Sequence, residues 1–260
     1  MQRCHLLELH EQPWCPSVLR DGLTDFLQQA IRLMRIYDPV LPMLEQAFAA
    51  SGARGVLDLC SGAGGPWIAW QARGQLPRVF RVRLSDLFPH TATVTALLPA
   101  IDYVPTPVDA THMTSSPGDF RTFFTAMHHF RPPQVKAILA DAVANHQPIA
   151  IFEFTYRSLP AAAFLLATPL MVWYLTLRSP PRSLLRWLLT FLVPVIPLLV
   201  MIDGIVSCLR TYSQNELLTM ASQTCPRSFN WTAGTTRGKR WPLPITYLIG
   251  FPATEHFFPG

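Results

Sequence analysis

Three glycines in four positions, Gly62, Gly64 and Gly65, follow a short apolar run, Val56-Leu57-Asp58-Leu59. Glycines let a backbone turn sharply after a strand and leave room for a ligand against the turn. Pro66 comes next, suited to a first helical position, where a missing N–H costs nothing. A strand, a tight turn and a helix start in one run usually hold a nucleotide-like cofactor. Asp86 stands roughly 20 residues further on. Its two carboxylate oxygens can accept both hydroxyls of a ribose. For proton transfer the candidates are the adjacent pair His128 and His129. Tyr37, Glu153, Tyr156 and Asp203 are candidates to face a second substrate; Asp203 follows sixteen uncharged residues, Trp187 to Ile202. Each also has a structural reading: His128 or His129 as a helix cap, Glu153 as an ion-pair partner, Asp203 as a cap, Tyr37 and Trp67 as core.

A dinucleotide site wants Gly-x-Gly-x-x-Gly, but Trp67 occupies the place of the last glycine. The pattern Asp58-x-x-x-Gly62-x-Gly64 instead resembles the first motif of class I S-adenosylmethionine methyltransferases. Asp86 with Leu87 and Asp109 with Ala110 follow in the order that this family shows. The resemblance covers about Arg35–Phe154. It implies that Asp58, Cys60, Ser61, Gly62, Gly64 and Gly65 lie around the cofactor's amino-acid end. It implies further that Asp86 and Leu87 hold its ribose, that Asp109 and Ala110 touch its adenine, and that Thr125 and Ala126 complete the set. No metal is expected, because adjacent histidines do not easily chelate one ion.

Several elements must position these groups. Val79–Leu84 alternates like a second strand; Tyr103–Val108 continues the series, Phe120–Met127 reads as a fourth strand and Pro148–Phe154 as a fifth, with helices such as 133–145 between. Alternating strands and helices predict an α/β fold with a parallel sheet covered on both faces. The tail offers a capping box at Ser213 and Glu216, then two strands, Ser228–Gly234 and Leu243–Gly250, around a polar turn. The resembled Rossmann-like sheet has seven strands and ends in such an antiparallel pair. The expected organisation is an N-terminal helical cap over 1–50, a cofactor-binding core over 51–158, an apolar helical hairpin over 159–207 and a completing segment over 208–260. The cap holds helices at Ser17–Met34 and Pro39–Ala50.

The hairpin is the anomaly. Only 14% of the 260 residues are charged, against a usual value near 25%, and the deficit is concentrated here. Residues 159–177 and 187–202 carry no charge, and Arg178, Arg182 and Arg186 lie between them. Both apolar runs are mostly short of the ~20 residues that span a bilayer. A spanning hairpin would also put three arginines on the far side, against the positive-inside rule. Pro169, Pro194 and Pro197 are expected to kink the helices. An apolar lid, a membrane-dipping element and a subunit contact in a homodimer stay open as readings.

Five dispersed cysteines without a Cys-x-x-Cys pair argue against zinc and a disulfide framework. The N-terminus lacks the continuous apolar core of a signal peptide. Cytoplasmic residence, peripheral at the membrane face if the hairpin dips, is the expectation. The net charge of +5 is mild, and its densest cluster, Arg237 to Arg240, reads as a solvated turn rather than a nucleic-acid contact. Together these features predict methyl transfer from S-adenosylmethionine to a small hydrophobic acceptor. O-methylation is favoured because two histidines offer a base, with C-methylation of a quinone-like ring close behind. The alternatives are a non-catalytic membrane-associated scaffold and an enzyme whose lipid or quinone acceptor stays in the bilayer.

Overall fold

The computed structural model describes residues 1–77, 80–89, 100–113, 119–178, 183–224 and 229–253. Seven strands form one sheet: β1 Gly55–Leu59, β2 Val82–Ser85, β3 Ile101–Tyr103, β4 Asp119–Phe124, β5 Ile149–Glu153, β6 Phe229–Thr236 and β7 Ile245–Pro252. Their order is β3-β2-β1-β4-β5-β7-β6. The first five are parallel, and β7 runs antiparallel to both β5 and β6. β1 is central and wholly buried, as expected of a strand covered on both faces.

Alternation along the strands sorts the core. Val56, Phe120, Phe124 and Phe152 point to one face, where they join Trp67, Trp70 and Phe80. Leu57, Leu59, Phe123 and Ile151 point to the other and meet Ile138, Leu139 and Leu217. Trp67 is fully buried, its ring edge-on to Trp70 at 5.3 Å, so it packs rather than contacting a ligand.

Nine helices are described: α1 Ser17–Met34, α2 Leu41–Ser51, α3 Gly65–Ala72, α4 Pro132–Ala144, α5 Leu159–Leu165, α6 Thr168–Arg178, α7 Leu184–Phe191, α8 Val195–Arg210 and α9 Gln214–Thr224. α1 falls on the expected residues. The Ser213–Glu216 capping box forms, with each backbone N–H reaching the other's side chain. The expected third strand stops at Tyr103, because Pro105 and Pro107 cannot donate to a ladder. The fourth ends at Phe124, and Met127–His129 forms a 3-10 turn instead. Val79, Arg182, Cys225 and Ser228, which entered the sequence reading, lie outside the described residues; the other four cysteines are free.

Residues 159–178 and 184–210 form two bent helix pairs. α5 and α6 meet at 44°, and α7 and α8 at 68°. Both runs bend near their prolines, as expected: Pro194 lies in the second break, and Pro169 and Pro197 lie just after the breaks. Both stand in a first turn, where the missing N–H is not needed. The breaks fall before them, at Leu166-Ala167 and at Leu192–Pro194. No single helix among the described residues is long and apolar enough to cross a membrane. The inner faces of α6 and α8 pack on α1 through Val172, Leu175, Ile196 and Leu199, against Leu23 and Phe26. The approach is close at Gly22, where an added Cβ would come within 2.9 Å of Ile196.

Candidate active site

The loop after β1 is built from backbone conformations that few residues tolerate. Cys60, Gly62, Gly64 and Gly65 all have positive φ. At Gly64 (φ 95°) a Cβ would lie 2.4 Å from Ile68, so only glycine fits. Ser61 ties this loop to β2: its N–H donates to the Ser85 carbonyl at 2.9 Å, and the Ser85 N–H donates to its Oγ at 3.1 Å. Asp86 completes the tie. Its Oδ2 accepts the Gly62 N–H and its Oδ1 the Phe88 N–H, each at 2.8 Å. Each oxygen retains a second acceptor position for a ligand hydroxyl.

The loops after β1, β2, β3 and β4 open together on a cavity of about 490 Å³, a size that suits a nucleoside-bearing ligand. Cys60, Ser61, Gly62, Gly65, Asp86, Leu87, Asp109, Ala110, Thr125 and His129 line it. Asp109 already accepts from Thr111, through the backbone N–H and the hydroxyl, at 2.8 and 2.7 Å. Thr125 holds φ 50°, costly for a β-branched residue. The Tyr37 hydroxyl bonds its Oγ1, and the Phe154 N–H donates to it at 3.2 Å. Tyr37 is therefore a support for Thr125, not a wall of either cavity.

A second cavity, about 70 Å³, lies between α1 and the bent helices. Its walls are almost wholly apolar and include Phe26, Phe164, Met171, Val200 and Gly204. Leu27, Thr125 and Phe154 line both cavities.

Several sequence assignments need correction. Asp58 does not line the cavity; it is buried and accepts the Thr122 hydroxyl at 2.6 Å, and burial raises its carboxyl to about 6. Gly64 and Ala126 shape the turn and the strand end without reaching the cavity wall. Glu153, Tyr156 and Asp203 line neither cavity. Glu153 accepts the Met127 N–H at 2.6 Å and the His128 Nδ1–H at 2.8 Å. Asp203 accepts the Leu9 and His10 N–H groups, each at 2.9 Å, and so anchors the segment before α1.

That segment and α1 supply what the sequence reading missed: His10 and Glu11 before the helix, and Arg20, Thr24 and Gln28 on it, line the larger cavity. Glu8 and Glu11 meet the two histidines and Arg210. Glu8 is fully buried, with Oε1 3.4 Å from Arg210 and Oε2 3.1 Å from His129 Nδ1. Glu11 accepts from His129 Nδ1–H at 2.5 Å and from Arg210 at 2.9 and 3.0 Å. Opposite charges ahead of an amphipathic helix were the only available signal.

This network pairs both histidines with carboxylates. His128 is buried and lines neither cavity. His129 does reach the cavity wall. Burial alone would depress its imidazole, but the Glu8 charge and the ring's hydrogen bond to Glu11 outweigh it and raise the pKa to about 10. A protonated ring cannot accept a proton. Glu8, His128 and His129 offer donor atoms within 4.8 Å of one another. Ser207 donates to Glu8 Oε1 at 2.8 Å and Arg210 lies 3.4 Å from it, while Glu8 Oε2 accepts no hydrogen bond and stands 3.1 Å from His129 Nδ1, so ion pairs already engage this donor set.

The shifts have a pH consequence. Burial alone would raise the Glu11 carboxyl as well, but its bonds to His129 and Arg210 hold it near 2. Its contribution to stability is present above the ordinary value of 4.5 and is lost as pH falls towards 2. The His129 contribution is complete below the ordinary 6.5 and fades as pH rises through about 10. Urea denaturation from pH 6.5 to 10 should show the wild-type protein losing stability relative to His129→Gln. Parallel curves would refute the network's protonated centre.

No family model and no curated protein matches this sequence. Solved structures do. Human N-acetylserotonin methyltransferase, solved with S-adenosylmethionine, is 13% identical over 92% of this chain and 58% of its own, with a TM-score of 0.48. LepI in complex with S-adenosylmethionine is 16% identical over 81% of this chain and 46% of its own, TM-score 0.45. Magnesium protoporphyrin IX methyltransferase from Synechocystis PCC 6803, solved with S-adenosylhomocysteine, is 13% identical over 91% of this chain and 86% of its own, TM-score 0.45. This chain thus spans about half the length of the first two. The strand order and the antiparallel last pair decide the architecture. The fold is a Rossmann-like α/β sheet of seven strands with an antiparallel last pair, as the sequence resemblance implies. Folds host many chemistries, so the reaction is argued from the site.

Proposed function

We propose that this protein transfers the methyl group of S-adenosylmethionine to a small hydrophobic acceptor. One observation carries the reading: a nucleoside-sized cavity at the carboxyl edge of the sheet shares Leu27, Thr125 and Phe154 with an apolar chamber. Ligands bind at this edge in open α/β sheets. The cofactor supplies a methyl group that its sulfonium already makes electrophilic. Gly62 and Gly65 keep the backbone bare beneath it, and Asp86 receives its ribose hydroxyls. Leu87, Val108 and Ala110 offer apolar surface for the base.

The chain's remaining task is alignment and exclusion of water, which can supply most of the barrier reduction in such a transfer. α5, α6 and α8 wall the chamber through Leu165, Met171 and Gly204, so they act as a lid. His129 cannot take the acceptor's proton. An oxygen acceptor therefore reacts as its anion, with the imidazolium at the cavity wall to favour that charge; a carbon nucleophile is the second option. O-methylation stays first because a cation stands ready for the anion.

Filling the chamber should separate binding from turnover. At Gly204 an added Cβ finds Leu165 at 3.5 Å, an ordinary contact, and leucine suits a helix better than glycine. Gly204→Leu should keep calorimetric affinity for S-adenosylmethionine within about twofold while methyl transfer falls at least about tenfold, a barrier change near 1.4 kcal/mol. Transfer is followed as labelled methyl passing to phenols, quinones or lipid extracts. Failure of the wild-type chain to bind the cofactor would overturn the reading.

A further inference from the structure

The bent helices bury one face and leave the other apolar. On α6 and the turn before it, Leu166, Leu170, Tyr174 and Leu177 are all exposed at a spacing that places them on one helical face. Leu170 and Leu177 are 65% and 67% exposed, and Leu184 at the start of α7 reaches 74%. Trp187 is exposed on the same helix. Apolar patches this continuous are rare on proteins that meet only water. Tryptophan and tyrosine beside leucine is the composition of a membrane–water interface.

Charge selects the occupant. Residues 159–202 contain three arginines and no acidic residue. Arg186 pairs with Asp25 of α1 at 2.6 Å. Arg178 is exposed at the end of α6, its guanidinium 5.1 Å from the centre of the Tyr174 ring. A second copy docked by a twofold axis would set acid-free, arginine-bearing faces against each other. An anionic lipid surface complements both the leucines and the arginines.

We propose that the outer face of α6 and α7 docks this protein on an anionic lipid surface without crossing it. The inner faces of the neighbouring turns line the apolar chamber; if the methyl-transfer reading holds, a lipid-dissolved acceptor meets the chamber from the docked side. The docking itself does not depend on that reading.

The test is flotation of the full chain with phosphatidylcholine vesicles, with and without phosphatidylserine. The wild-type protein should float with the serine-containing vesicles and be released by alkaline carbonate. Arg178→Gln should weaken partition about fivefold. The double variant Leu170→Glu/Leu177→Glu should weaken it at least about tenfold. All three should bind S-adenosylmethionine equally, because none of these side chains lines the larger cavity. Lost cofactor binding in the wild type would sink the methyl-transfer reading and leave the flotation result standing. Docking is overturned if the wild type stays unbound, if the double variant floats equally well, or if carbonate fails to release the protein. It is also overturned if the glutamates instead convert a soluble dimer to monomers, which would assign the face to a second copy.

Discussion

Replacing Arg210 with methionine should destabilise the protein by about 3–5 kcal/mol, the cost of removing one partner from a buried ion pair. Arg210 is 1% exposed and is the hub of the network. Its guanidinium donates to the His128 and His129 carbonyls at 3.1 and 2.7 Å and to both oxygens of Glu11. Methionine fills similar volume but removes the cation beside Glu8, both hydrogen bonds to Glu11 and the donor to the His129 carbonyl. For a chain of this size the loss corresponds to a fall in Tm of roughly 6–20 °C. Arg210→Lys keeps the charge but not the planar fork, so it should fall between. If the network is one unit, Glu8→Gln combined with Arg210→Met should cost less than the two single changes added together. Strict additivity, or a Tm within a degree or two of wild type, would show that Arg210 is only packed there.

The same network marks the limit of the sequence reading. The sheet was legible because its pattern is local. Apolar strands end at Leu59, Ser85 and Phe124, and the Gly62–Gly65 turn allows little else. Helices α1 and α9 were legible from periodicity and from the Ser213–Glu216 box. Asp86, Leu87, Asp109 and Ala110 line the cavity because the loop after each parallel strand opens on one edge, so order along the chain maps onto order in space. The histidines were legible as a place but not as a role. The protonation of His129 depends on Glu8 and Glu11, more than a hundred residues away, and no local pattern reports that pairing. Asp58 and Glu153 misled for a related reason: at a strand end the pleat decides whether a carboxylate faces the ligand or the core.

Asp86→Ala should lower affinity for S-adenosylmethionine by a factor of roughly 10–150, from loss of a charge-assisted hydrogen bond worth about 1.5–3 kcal/mol. The position has two roles to separate. Asp86 holds the Gly62 and Phe88 N–H groups, so alanine could loosen the turn without any direct contact to ribose being lost. A 2′-deoxy analogue of the cofactor distinguishes the two. Direct contact requires that removing the hydroxyl weaken binding to the wild type but not to Asp86→Ala, because the missing carboxylate has nothing left to lose. A purely structural role would make the analogue's penalty equal in both proteins. Asp86→Asn sharpens the test. It keeps one oxygen for a backbone donor but sets an NH2 against the other, so its turn should be no better anchored than that of the alanine variant on one side. Calorimetric titration of the three proteins with both ligands decides it, and equal affinity of folded Asp86→Ala and wild type for the parent cofactor would remove the ribose from this site altogether.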